Sequence, residues 1–291
     1  MTWDVAKLIL LDALKDSALV LAFVFIFHII LALFENKMSK ILTNKRVLGP
    51  IFGSAFGLIP QCGTSVLAAD LYIKKYITLG TIIAVFLSCS DEALLVLITN
   101  AVTNPSEKSI MILPLIASKL VIGILIGMLI DLLYKKQEIK QVEEELEDVT
   151  CEEHHHHNVK LHKYLIHPLI HSLEIFAYVF VINVVLGLII ASVGEMNFAN
   201  FIASNKYASP LYASLIGLIP NCASSVLLCE LYTGNSLAFG SLLAGLLVNA
   251  GLGVTVLLKS KSTWKKAGLI LLITFVTALA MGYIFSGIVG F

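Results

Sequence analysis

A sixteen-residue motif occurs twice in this chain, 160 positions apart, so any fold must build one local shape in two places. Residues 57–72 read Gly-Leu-Ile-Pro-Gln-Cys-Gly-Thr-Ser-Val-Leu-Ala-Ala-Asp-Leu-Tyr. Residues 217–232 read Gly-Leu-Ile-Pro-Asn-Cys-Ala-Ser-Ser-Val-Leu-Leu-Cys-Glu-Leu-Tyr. Ten positions are identical, and Gln61/Asn221, Thr64/Ser224 and Asp70/Glu230 are close chemical swaps. The register continues without a gap to Gly80/Gly240, Ala84/Ala244, Leu87/Leu247 and Leu97/Leu257. A proline and a polar pair duplicated inside apolar sequence are what two-fold transporters place at a substrate site.

The surrounding sequence sets the solvent. Hydrophobic residues make up 58% of the chain and charged ones 14%, and the mean hydropathy is +0.90. Several apolar runs are long enough to cross a hydrocarbon core about 30 Å thick. The expectation is a polytopic, all-α membrane protein with no cleaved signal peptide, residues 1–15 forming an amphipathic lead-in anchored by Trp3. Four of the five cysteines (Cys62, Cys89, Cys222, Cys229; not Cys151) lie in apolar segments, which argues against a secreted disulfide framework.

Charge places the segments. Residues 16–34 form the first crossing, followed by a basic loop with Lys37, Lys40, Lys45 and Arg46, the mark of a cytoplasmic end. Residues 47–71, interrupted at Pro60, are flanked by that loop and by Lys74 and Lys75. Basic residues on both sides favour a re-entrant helical hairpin over a single kinked crossing. Residues 77–100 cross outward, Pro105 marks an outer turn, and 110–133 return to Lys135 and Lys136.

An acidic and histidine-rich cytoplasmic linker, 135–165, joins the halves 1–134 and 166–291. In the second half, 167–192 cross outward and 209–231 form a hairpin with almost no basic flank. Residues 237–258 then run inward to Lys259, Lys261, Lys265 and Lys266, and 267–289 go out. Three crossings per half is an odd number, so the second copy is inverted, and both termini fall outside. About ten membrane segments result, in a bacterial cytoplasmic membrane.

Interrupted helices survive in lipid only when buried in protein or lining a wet cavity. The hairpin tips present Gln61, Asn221, Thr64, Ser224, Ser65 and Ser225, beside the symmetric Cys62 and Cys222, together with half-helix N-termini of partial positive charge. Two further breaks are expected in the next helices, at Ser88-Cys89-Ser90-Asp91-Glu92 and at Asn249-Ala250-Gly251. The tips and breaks should meet near the midplane. Charge at membrane depth costs at least about 2.5–3.5 kcal/mol on insertion scales, so Asp91 and Glu92 mark a pathway or a relay. The plainer alternative is an internal pair with Lys119.

Asp70 and Glu230 read as interfacial helix ends, and His28 as a packed, hydrogen-bonded histidine. His167 and His171, with Glu174, share a helical face that suits either metal or an interface. His154, His155, His156 and His157, beside Cys151, Glu152 and Glu153, suit loose capture of borderline metals.

With these motifs, the chain resembles the predicted ten-segment heavy-metal exporters, whose members carry arsenic-efflux or manganese-transport labels. The resemblance covers essentially the whole chain, and it implies export of a metal or metalloid ion. The metal ligand set drawn from the residues is Asp91, Cys62, Cys222, Asn221, Gln61 and Asn249. Ser88, Cys89, Glu92 and Ser225 belong to the wider ion-binding set. Oxygen donors suit manganese, and thiols suit zinc, cadmium or trivalent arsenic.

No phosphate-binding loop is present, so a proton or sodium gradient supplies the energy, with an elevator as one motion. The alternative cargo is a small organic anion carried with sodium, although Arg46 is the chain's one arginine. An enzyme is not expected, since no metalloprotease motif accompanies the two acids. No resident cofactor is expected. The expected partners are the transported ion and the lipid bilayer, without nucleic acid, and a homodimer is compatible with such a chain.

Single cysteines at the hairpin ends test this topology in a background free of native cysteines. An impermeant thiol reagent should label Lys75→Cys only from the cytoplasmic side and Thr233→Cys only from the outside. Labelling of both from one side removes the inverted arrangement.

Overall fold

The structure, a computed structural model, describes residues 48–90, 93–103, 110–149, 207–259 and 263–289. Scattered helical positions are also described between 7 and 26 and between 173 and 185. The expected crossings 16–34 and 167–192, the loop 35–46, Asp91, Glu92, the outer turn and the histidine run lie wholly or mainly outside these residues. So does the side chain of Cys62.

The duplicated sequence forms duplicated helices. In the first half these are α1 (Gly49–Gly57), α2 (Cys62–Ile73), α3 (Leu79–Ser88), α4 (Ala93–Thr103) and α5 (Ile112–Val149). In the second they are α6 (Ser209–Gly217), α7 (Cys222–Thr233), α8 (Phe239–Val248), α9 (Gly253–Lys259) and α10 (Trp264–Val289). No strand occurs among the described residues. The first four helices of each set begin 160 residues apart, and α1 and α6 carry a proline in the first turn, where no amide partner is lost.

The turns repeat bond by bond. The Gln61 amide donates to the Ile59 carbonyl (2.7 Å) as the Asn221 amide does to Ile219 (2.8 Å). Lys75 and Asn235 both adopt left-handed backbone, with φ of 60° and 62°. Asparagine tolerates that region, whereas for lysine it is an uncommon conformation imposed by the turn.

Two layers of helix follow from composition. The apolar stretches over α3–α4 and α8–α9 are 75% and 94% buried within the protein, whereas those of α5 and α10 are 28% and 22% buried. The broken helices therefore form the interior, and α5 and α10 stand at the perimeter with Leu113, Leu125, Leu132, Leu272, Val276 and Ile288 exposed. An apolar perimeter of this kind is a lipid-facing surface. All four stretches are long and apolar enough to span a membrane. Helix α5 runs on past its apolar part through residues 135–149, the first section of the expected linker.

Close backbone approach holds the layers together. A Cβ at Gly217 would overlap the Gly245 carbonyl oxygen, and one at Gly57 would overlap Ser88 Oγ. Along α5, Lys119, Gly123, Gly127 and Asp131 recur every fourth residue on one face, as do Thr274, Ala278, Gly282 and Ser286 along α10. Gly80 of α3 lies against Gly127 and Asp131; Gly240 of α8 lies against Gly282 and Ser286. The two stripes are thus equivalent.

Their chemistry differs. Thr78 caps α3, its hydroxyl accepting from the Thr81 amide (3.1 Å) and donating to Asp131 Oδ2 (2.6 Å). Asp131 Oδ1 accepts from the Gly80 amide at 2.8 Å, so a carboxylate sits at the positive end of α3. Helix α8 starts from Ala238 with no side-chain cap, and the buried Ser286 hydroxyl finds no partner among the described residues.

Asp131→Ala should therefore lower stability by about 1–3 kcal/mol, because it strips the acceptor from a buried amide and a hydroxyl. Ser286→Ala should leave stability near the parent value or raise it. Thermal unfolding of both variants in detergent checks the contrast.

Candidate functional site

Helices α2 and α7 start inside the protein because Pro60 and Pro220 lack the amide needed to continue α1 and α6. Their first residues are Cys62 and Cys222, and Gln61 and Asn221 stand at the extended cap positions. The Asn221 side chain accepts from the Ala223 amide at 3.2 Å; Gln61, one methylene longer, makes no such bond. Thr64 and Ser224 each turn their hydroxyl back to the preceding cap carbonyl, at 2.9 and 2.7 Å. Two helix N-termini, each headed by an amide side chain and a cysteine, result.

The interior helices break where the sequence predicts. Helix α3 ends at Ser88, with Cys89 as C-cap, and α4 starts at Ala93. Helix α8 ends at Val248, with Asn249 as C-cap, and α9 starts at Gly253. Gly251 sits at φ 57°, a conformation suited to glycine. Asn249 Oδ1 accepts from the Gly251 amide at 2.9 Å, and Asn249 Nδ2 donates to Ser224 Oγ at 3.4 Å. One amide side chain thus stitches the break in the second half to the start of α7.

The halves also exchange partners. Helix α9 of the second half packs on α2 of the first, and α7 of the second half packs on α4 of the first. At the first contact the Gly253 amide donates to Ser65 Oγ at 3.3 Å, and a Cβ at Gly253 would overlap the Ser65 carbonyl. At the second, Cys229 Sγ donates to the Ala93 carbonyl at 3.6 Å. Each short helix is therefore seated against the restart of the other half's broken helix.

Among the expected site residues, Asn221 and Asn249 both converge on Ser224. Cys222 and Cys89 are buried. Ser88 and Ser225 donate back into their own helices, to Ala84 (2.9 Å) and Cys222 (2.8 Å). Gln61 is half-buried, and its carbonyl accepts from Thr64. Asp91 and Glu92 fall in the break between α3 and α4, outside the described residues. Among the described residues, no cluster of three or more histidine, cysteine or carboxylate groups forms a ready metal site. Asp70 is buried and paired with Lys74 at 2.8 Å, the pairing of a helix end.

Lys119, expected only as the alternative internal partner of Asp91 and Glu92, has backbone partners that its sequence position does not reveal. It is 2% exposed, and its ammonium donates to the Cys89 carbonyl and, at 3.0 Å, to the Leu246 carbonyl. The available signal is the four-residue spacing that puts it on the glycine stripe of α5.

A helical membrane protein with paired broken helices at its centre is the class these features define. The chain belongs to the family described as "Putative, 10TM heavy-metal exporter", whose model matches residues 5–200 and 173–290. It is accordingly a multi-pass membrane transporter of heavy metals, a transport class and not an enzyme class. No curated protein and no solved structure matches the chain.

Asn249→Ala should cost about 1–3 kcal/mol by leaving the buried Gly251 amide without its acceptor. Gly251→Ala should cost roughly 1–2 kcal/mol through left-handed strain. Both losses appear as lower unfolding midpoints in detergent, and unchanged midpoints would contradict the stitched break.

Proposed function

We propose that the protein is a secondary transporter exporting a metal or metalloid ion across a bacterial cytoplasmic membrane, with the ion held between the helix breaks and the short-helix N-termini. The observation that supports this most is the exchange of partners, α2 with α9 and α7 with α4. It draws Ser65 to Gly253 and Cys229 to Ala93, so the restart of each broken helix is packed against the other half's short helix. In this reading the halves are inverted repeats, α1–α2 and α6–α7 are re-entrant hairpins, and the ends meet near the bilayer midplane.

The proposed ligands are Gln61, Cys62, Asp91, Asn221, Cys222 and Asn249. Ser88, Cys89 and Ser225 line the same region, and Glu92 completes the shell or shuttles a proton. Asp91 supplies the charge that a cation needs in a low dielectric; the amides and helix dipoles tune its position. The thiols bias the site toward softer ions. The run from His154 to His157 collects metal on the cytoplasmic side. Protons or sodium ions drive the cycle, and a hairpin moving with its broken helix as an elevator is the proposed motion. Both termini lie outside the cell. Membership of a heavy-metal exporter family favours this cargo over a carboxylate.

Expression in a strain lacking its own exporters, assayed metal by metal, is the test. Cells should accumulate less of at least one of manganese, zinc, cadmium or arsenite than controls. Asp91→Asn and Cys62→Ser should each abolish that tolerance while the protein still reaches the membrane. Full tolerance in both variants removes the ligand assignment, and equal accumulation of every ion removes export.

A further inference from the structure

Lys119 joins two helix ends that belong to different halves of the molecule. Cys89 is the C-cap of α3, and Leu246 lies in the last turn of α8. Both lie at the negative ends of helix dipoles, where a positive charge is favoured. Carbonyl oxygens at half-helix C-terminal ends are groups with which transporters coordinate sodium. Here a covalently attached ammonium, 2% exposed, takes those contacts.

The second half supports the comparison. Gly127 and Asp131 meet Gly80 as Gly282 and Ser286 meet Gly240, so the position on α10 equivalent to Lys119 is Thr274. Thr274 is buried and donates to the Leu271 carbonyl of its own helix at 3.0 Å. A charge stands in one half where a neutral hydroxyl stands in the other. Simple packing of two related helices does not require that difference.

We propose that Lys119 is a tethered cation occupying an alkali-cation site between the ends of α3 and α8, so that this contact between the halves assembles without a free coupling ion. The inference goes beyond the export reading. It concerns what holds the broken helices together and not which ion is carried.

The test uses the full chain in detergent, free of transition metals, with unfolding midpoints measured in NaCl, KCl and choline chloride at equal ionic strength. Lys119→Ala and Lys119→Gln should both be several degrees less stable than the parent in choline chloride. Sodium or potassium should then raise their midpoints saturably, as a ligand of the folded state does. The parent should show no such cation-specific shift. Equal midpoints for the variants in all three salts would overturn the proposal, as would a parent that shifts as far as they do. Failure to recover either variant folded in sodium or potassium would also overturn it, because those ions should fill the vacated place. With no transported metal in the assay, either outcome leaves the export reading to its own experiment.

Discussion

A helix interrupted in apolar surroundings exposes carbonyls at one end and amides at the other, and no bulk water is there to satisfy them. In this protein two central helices and two flanking pairs are interrupted in that way, so the fold depends on what answers those groups. The answers are local where they can be. Thr64 and Ser224 turn back on the cap carbonyls, Asn221 caps α7, and Asn249 accepts from Gly251. Where local groups do not suffice, distant ones arrive: Asp131 at the start of α3, Ser65 at the start of α9, and Lys119 between the ends of α3 and α8.

These distant partners explain why the helices pack as they do. A backbone group can be reached only if helices approach closely, and the small residues at Gly57, Gly127, Gly217 and Gly282 allow that approach. The perimeter helices α5 and α10 present small residues inward and leucine, valine and isoleucine outward. Their inner stripes serve as struts for α3 and α8, and the polar residues on those stripes stand opposite the helix ends. Apolar shape and polar satisfaction are met by the same faces.

Duplication preserves shape more strictly than chemistry. Helix starts, turn hydrogen bonds and left-handed residues recur at the same spacing. Yet Thr78 and Asp131 at one helix start correspond to Ala238 and Ser286 at the other, and Lys119 corresponds to Thr274. Gln61 and Asn221 differ by one methylene, enough for only the shorter side chain to cap its helix. The two halves are thus alike in backbone shape and unlike in charge. The charged substitutions fall in the first half, where Asp91 and Glu92 also lie.

Much was legible from the chain itself. Proline removes an amide wherever it stands, so the interruptions after α1 and α6 followed from Pro60 and Pro220. The Asn249-Ala250-Gly251 break followed from glycine's freedom, and the long apolar runs followed from hydropathy. These are local properties, set by covalent chemistry and by neighbours along the chain. The partners of Lys119 and Asp131 were not legible, because a carbonyl or an amide is the same group at every residue and carries no sequence signature. The exchange of α2 and α7 between halves was hidden for the same reason. Local sequence determined where helices start, stop and break. Only tertiary packing decided which distant side chain answers each broken end, since that choice depends on three-dimensional proximity between segments more than a hundred residues apart.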